Sequence, residues 1–453
     1  MNLYCERHEI GNGKEQEAFS LHGTPGLLLK LTLPTSPIRG IYTASTGSVY
    51  AVGGNKLYSI STAFVATERG TLSTSSGQVS IADNGIDLVI VDGQNGYKLT
   101  FGSNTFAAIT DEDFVGADIV AFQDGYFIFN KPNSGQFYIS GLNDTTIDEL
   151  DFATSEGNPD NIVGHISVHR ELWMFNEKTT EIFYNSGDAD FPFARLEGGF
   201  IEFGCGARFS IAKMNNTVFW IGKNEAGTGI VYKAQGYQPQ RISTHAVEQA
   251  IQGYADFSDA TAFCYQQEGH NFYVLNFPSA DTTWVFDDTT GLWHERAFTN
   301  DGVLERHRAN FYTFGHDIHL VGDHETGKIY KLDPETYTDD GAAITRLRIA
   351  PHLTSGLKRV TFHKFQLDME TGVGIDGSGQ GDNPQAMMEF SDDGGHTWSN
   401  EIWTSFGAIG ARNARAIWRR LGTSRDRVFS ITITDPVKVV LIGAEMEAEV
   451  LAS

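Results

Sequence analysis

Residues 48–61 read "SVYAVGGNKLYSIS": an apolar run, a Gly-Gly-Asn turn, then a second apolar run. Short runs rich in β-branched and aromatic residues on either side of such a turn spell a β-hairpin. The pattern returns along the chain as "DLVIVDGQNGYKLTFG" from Asp87, "GYFIFNKPNSGQFYISG" from Gly125 and "ELWMFNEKTTEIFYNSG" from Glu171. It continues as "TVFWIGKNEAGTGIVYKAQG" from Thr217, "NFYVLNFPSADTTWVFDDTTG" from Asn271 and "DIHLVGDHETGKIYKLD" from Asp317. Successive starts lie 38–54 residues apart, and further short runs such as "IRGIYTAS" and "GADIVAFQ" fall between them. A period of roughly 40–50 residues with about four strands each is the mark of a β-propeller. One blade cannot bury both of its faces, so neighbours bury them and the ring closes on itself. Seven hairpins predict seven blades, or six if one hairpin is an insertion; a set of β-sandwiches is the alternative.

Helical signal is thin. In "STHAVEQAIQGYAD", residues 243–256, Ser243 is placed to cap, and Val247, Ala250, Ile251 and Tyr254 share a face. After residue 356 the character changes. "FHKFQLDMETG", "AMMEFSDD", "AIWRRLG", "RVFSITIT" and "VKVVLIGAEMEAEV" read as strands of a separate antiparallel sheet. The expected organisation is therefore all-β: a propeller with an N-terminal extension over 1–356, then an antiparallel β-sandwich over 357–453.

The 453 residues carry a net charge of −24, from 33 basic and 57 acidic side chains. Residues 357–453 hold ten Lys and Arg against thirteen Asp and Glu, so the acidity lies on the propeller side. Such a surface speaks against gripping nucleic acid through its phosphates, which needs clustered Lys and Arg. No stretch approaches 18 consecutive apolar residues, and the start has no basic and apolar signal-peptide pattern. Cys5, Cys205 and Cys264 are odd in number and far apart, which favours reduced thiols over a disulfide framework or a zinc site.

One motif points toward chemistry. Ser391, Asp393, Gly395, Thr397 and Trp398 fit S-x-D-x-G-x-T-W, which resembles the Asp-box hairpin of sialidases. Each of these residues has a task in holding a turn: Ser391 and Asp393 bond backbone amides, Gly395 supplies a permissive φ, and Trp398 packs beneath. None is needed for bond cleavage, and the motif stands once, outside the propeller repeat. The carboxylate pairs Asp111–Asp113, Asp287–Asp288, Asp339–Asp340 and Asp392–Asp393 read as solvated turns. On a strand His316 and His319 face opposite ways, which suits a shared metal poorly. No phosphate loop, dinucleotide fingerprint or nucleophile elbow is present. We therefore assign no catalytic, metal-binding or cofactor-binding residue and no cofactor. The basic run "ARNARAIWRRLGTSRDR", with Arg412, Arg415, Arg419, Arg420, Arg425 and Arg427, reads as an interface to an acidic partner or a neighbouring subunit.

Several stretches, in order, resemble one family. They are "NLYCERHEIGNGKEQEAFSLHGTPGL" (2–27), residues 203–251 from "FGCGARFSIAKMNN" to "THAVEQAI", "TTWVFDDTTGLWHERAF" (282–298), "FSDDGGHTWSNEIW" and "AIWRRLGTSRDRVFSITIT". Together they are similar to the packaged-DNA stabilisation proteins of short-tailed bacteriophages, the tail hub or nozzle. The resemblance implies a homohexameric ring below the portal and bound to the adaptor ring. It implies that the ring carries tail fibres, spikes or a needle, and that genomic DNA passes through its lumen without sequence-specific binding. It places the protein in the virion tail, assembled in the host bacterial cytoplasm, with no catalytic role and no direct membrane insertion. In the family the "NLY" element follows an N-terminal segment, whereas here it stands at residue 2, which leaves docking by that segment open. The rival readings are a propeller glycosidase and a receptor-binding tail adhesin.

Overall fold

The computed structural model describes residues 1–8, 18–155, 157–223 and 228–452. Two compact units emerge, each built from separate stretches of chain. One comprises Leu29–Thr283 and Arg306–Leu332; the other comprises Met1–Leu28, Trp284–Glu305 and Asp333–Ser453.

The first unit is a seven-bladed propeller. Its inner strands, among the described residues, are Ile38–Thr43, Ser80–Asp83, Val120–Gln123, Ile162–Val168, Ala212–Met214, Thr261–Gln267 and Ala309–Gly315. The hairpins read from sequence form the middle of the blades. Val49–Gly53 pairs antiparallel with Lys56–Ile60, Asp87–Val91 with Gly96–Thr100, and Tyr126–Asn130 with Gln136–Ser140. Glu171–Asn176 likewise pairs with Thr180–Asn185, Thr217–Lys223 with Thr228–Gln235, and Ile318–Asp323 with Lys328–Asp333. The strands His270–Phe277 and Thr282–Asp287 arise from the remaining repeat.

Val49–Gly53 shows why these runs are apolar at every position. Val49 and Ala51 pack with Leu320 and Ile329 of the seventh blade. Tyr50 and Val52, on the opposite face, pack with Leu88, Ile90 and Leu99 of the second. The core thus lies between blades, and a strand buried on both faces cannot alternate apolar with polar. Closure follows from the same packing. Thr313 donates from Oγ1 to Thr43 Oγ1 (2.8 Å), joining the last inner strand to the first. The Leu33 amide donates to Gly327 O (2.7 Å), and Gly26–Thr32 joins the sheet of the seventh blade. Asn or Asp stands at or beside the end of the second strand in several blades and accepts from neighbouring residues. Tyr330 Oη donates to Asp323 (2.8 Å), Thr283 Oγ1 to Asn276 (2.7 Å), and the Ile119 amide to Asn130 (2.9 Å).

The helix is shorter than its sequence pattern, spanning His245–Gln252, and its cap is Thr244, whose side chain accepts from the Val247 amide. Ser243, the expected cap, is buried and donates instead to Glu248 Oε1 (2.6 Å). Glu248 also binds Arg241 Nε (2.6 Å), so a carboxylate tethers the helix face that apolar periodicity marks. Among the described residues no helix is long and apolar enough to cross a membrane.

The second unit contains a β-sandwich. One sheet orders Leu3–His8, Ala18–Gly23, Val440–Val450, Val360–Met369 and Ala416–Arg419; the other orders Arg346–Ile349, Asp426–Ile433, Gln385–Ser391 and Ile402–Ser405. Phe362, Phe365 and Leu367 from the first sheet share a core with Met388, Phe429 and Ile431 from the second, and Leu3 and Trp418 join it. The N-terminal strands are therefore sandwich strands: Leu21 is in register with Leu441. Upstream of residue 357, Arg346–Ile349 pairs with Ile433–Ser430, so the sandwich sheets draw on residues before that point.

Candidate functional site

The Asp-box hairpin leaves the strand Gln385–Ser391 and returns as Ile402–Ser405. Ser391 Oγ donates to Asp393 Oδ1 (2.7 Å) and accepts from the Gly395 amide (2.8 Å). The Asp393 carboxylate accepts from the Thr397 hydroxyl (2.6 Å) and the Thr397 amide (2.8 Å). These bonds, the Thr397 hydroxyl foremost, hold Asp393 well below the usual carboxylate range. Gly395 has φ +97°, a backbone conformation that a side chain would strain. Every bond runs within the turn, so the arrangement fixes backbone and presents no group poised for proton transfer. Trp398 is 36% exposed, and its Cζ2 would lie 3.8 Å from a Cβ at Gly395, so the ring sits beside the turn with part of it in solvent.

Arg427, which meets the same hairpin, is 2% exposed. Its guanidinium grips Asp392 through Nε–Oδ1 (2.6 Å) and Nη2–Oδ2 (2.7 Å), and also donates to Leu421 O. The guanidinium carbon lies over the rings of Phe390 (4.0 Å) and Phe362 (4.8 Å). The run of arginines hid this residue, because it reads as one basic surface. Arg427 is thus a core cation, while Arg412, Arg415, Arg419, Arg420 and Arg425 are exposed. Among the described residues none of these five makes an ion pair.

Arg419 lies on the edge strand Ala416–Arg419, opposite Lys364, and Lys364 in turn lies opposite Glu447. The strand Val440–Val450 exposes Glu445, Glu447 and Glu449 at alternate positions. A second acidic surface lies on the propeller. The fourth strand of the third blade, Ile147–Thr154, exposes Asp148, Glu149, Leu150 and Phe152, and Glu112 and Asp113 border the same hollow. The remaining carboxylate pairs hold turns. Asp111 accepts the Asp113 and Ile147 amides, Asp287 the Thr289 amide and Thr290 hydroxyl, and Asp339 the Leu27 amide. His316 and His319 go to separate partners, Ile60 O and Tyr312 Oη. Inside the propeller, two hollows of about 570 and 540 Å³ share Gln78, Arg208 and Phe209 along the inner strands.

Two family descriptions match the chain. Residues 1–337 match "Bacteriophage P22 Gp10, beta-propeller", and residues 345–449 match "Bacteriophage P22 Gp10, beta-sandwich". No curated protein matches. Among solved structures, the extracellular domain of a putative one-component system from B. thetaiotaomicron is 10% identical, with a TM-score of 0.47. That match covers 86% of this chain and 48% of the other. The N-terminal domain of Nup159 is 9% identical (TM-score 0.42; 68% and 94% covered). The WD40 propeller domain of Doa1 is 12% identical (TM-score 0.41; 68% and 96% covered).

Proposed function

The chain belongs to the bacteriophage P22 Gp10 family, a family of phage structural proteins, and from that premise we propose that it forms the nozzle ring of a short tail. In this reading a homohexamer docks on the adaptor ring below the portal, retains the packaged DNA and lets it out on ejection. It also carries the fibres, spikes or needle. The observation that carries the reading is the pair of consecutive family matches, which together take in both the propeller and the sandwich.

The charge supports it. An excess of 24 negative charges repels phosphates and offers DNA few cationic footholds. At physiological salt this repulsion reaches only about 8 Å, so it smooths contact near a wall and does not steer from afar. Five exposed arginines that make no ion pair among the described residues supply one half of a subunit contact, and the acidic strand of the third blade offers the complementary half.

Mass measurement of the purified protein, alone and with portal and adaptor, tests the assembly. A ring of six is expected; a monomer that never assembles in their presence overturns the nozzle. Electron cryomicroscopy of the ring tests the channel separately, since a lumen lined with Lys and Arg overturns the low-friction argument while leaving the ring intact.

A further inference from the structure

The strand Val440–Val450 is paired along its length on one side only. Toward Val360–Met369 it runs in register from Val450 opposite Val360 to Leu441 opposite Met369. On the other side, among the described residues, only Val440 and Leu441 are met, by His22 and Leu21 of Ala18–Gly23. From Ile442 onward that edge is free. Every residue from there to Val450 except Met446 is exposed, Ile442 at 58% and Val450 at 47%.

The backbone of this edge is open as well. The Leu451 amide turns inward and donates to Arg359 O (2.8 Å). Successive amides of a strand point to opposite sides, so those of Ala444, Met446, Ala448 and Val450 turn outward, away from Val360–Met369. An open row of amides and carbonyls is a template for another strand.

The side chains set what kind of strand fits. Ala444, Met446 and Ala448 lie opposite Leu367, Phe365 and Phe362, which face the sandwich core, and Met446 packs against that core. Glu445, Glu447 and Glu449 lie opposite Gln366, Lys364 and Thr361 on the other face. Glu449 approaches His363 (3.5 Å), and among the described residues none of the three glutamates makes an ion pair with Lys or Arg. A strand added here keeps the two-residue alternation, so one of its faces meets an apolar row and the other meets three carboxylates. Opposite charges across a pairing favour it and like charges oppose it. The same edge of a second copy sets glutamate against glutamate and is turned away. The arginine-bearing strand Ala416–Arg419 of another copy is four residues long and covers less than half of the free stretch.

We propose that the free edge of Val440–Val450 receives an extended strand of a partner protein, with Lys or Arg at alternate positions opposite Glu445, Glu447 and Glu449 and apolar residues between them. The inference rests on the sandwich alone and does not depend on the nozzle reading.

Fluorescence anisotropy of a short labelled peptide alternating Lys and Val, titrated with the full chain, tests this. Saturable binding that weakens as salt is raised is expected. A peptide of the same composition with its lysines grouped is expected to bind at least tenfold more weakly. Ala448→Pro removes an outward N–H, alters no charge and takes no N–H from the pairing with Val360–Met369, so it is expected to weaken the alternating peptide at least tenfold. Glu445→Lys with Glu449→Lys is expected to abolish binding. Absence of saturable binding, equal affinity for the two peptides, or an unaltered titration in Ala448→Pro overturns the proposal. Self-association of the chain alone that Ala448→Pro abolishes gives the edge to a second copy and overturns it as well. If circular dichroism shows that Ala448→Pro does not fold, the charge-reversed pair and the grouped peptide decide.

Discussion

Arg427 and Asp392 meet through two parallel bonds, Nε–Oδ1 at 2.6 Å and Nη2–Oδ2 at 2.7 Å, with the arginine buried and the aspartate 44% exposed. The pair is unequal, and that decides which substitution costs more. Asp392→Ala strands a desolvated guanidinium among Phe362, Phe390 and Phe429, and we expect a loss of about 2–4 kcal/mol. Arg427→Met keeps apolar volume and lets Asp392 turn to water, so its cost is expected to be smaller. Urea unfolding followed by tryptophan fluorescence measures both, and a larger loss for Arg427→Met contradicts the assignment of Arg427 as the buried partner.

The Asp-box turn predicts a local effect. Asp393→Asn removes the charge that accepts from Thr397, so the Gly395 and Thr397 amides should exchange hydrogen faster while the sandwich core stays protected. The sign with pH follows from the depressed carboxylate. Its contribution is complete above the ordinary value near 3.8 and is lost as pH falls toward the lower folded value. The wild-type turn should therefore hold unchanged from pH 8 down to pH 5. Trp398→Ala should cost little, about 1 kcal/mol, because the ring is partly in solvent. Loss of a hydrolytic activity on Asp393→Asn with unchanged stability would contradict the structural role.

How much of this was legible depends on sequence distance. "SVYAVGGNKLYSIS" and its six relatives are local signals, each with its own turn, and they gave the blades and their number. The inner strands Ser80–Asp83 and Ala212–Met214 are too short to show a period. The closure that joins Gly26–Thr32 to the seventh blade pairs residues some 300 apart, and no local pattern announces it. Arg427 resembles its exposed neighbours in sequence; only Asp392, 35 residues away, distinguishes it. The hollows inside the propeller were illegible for the same reason, since they take single residues from separate blades.

Asp339 predicts a pH dependence at neutrality. It is buried, and its pKa is pushed up to about 7 by burial, with Arg346, the Leu27 amide and Arg296 pulling it back and Asp340 adding to the rise. A carboxyl whose folded value is raised binds its proton more tightly in the native state. Its contribution is thus full below about pH 4, falls as pH rises toward 7, and stays lost above. The change should be of order a few kcal/mol across that window. Asp339→Asn keeps the neutral form at every pH, so the variant should gain on the wild type between pH 4 and 8. Thermal midpoints at both ends of the range check this; parallel profiles for the two proteins refute it.

The exposed arginines predict a separation of assembly from folding. Arg419 ends an edge strand and Arg415 immediately precedes it; both are exposed and form no ion pair among the described residues, so replacing them removes no intramolecular bond. The double change Arg415→Glu and Arg419→Glu should leave the unfolding free energy within about 0.5–1 kcal/mol of wild type. If these residues meet the acidic strand of a neighbouring copy, the same change places like charges in contact and should abolish the ring. Raising salt should weaken the wild-type ring in the same sense. A compensating change in the third blade, Asp148→Lys with Glu149→Lys, should restore assembly to the charge-reversed protein and disfavour it in the wild type. Mass photometry of the four proteins over a salt series reads the outcome. Rings that persist in the arginine variant would remove these side chains from the subunit contact, and failure of the compensating pair would move the acidic half elsewhere.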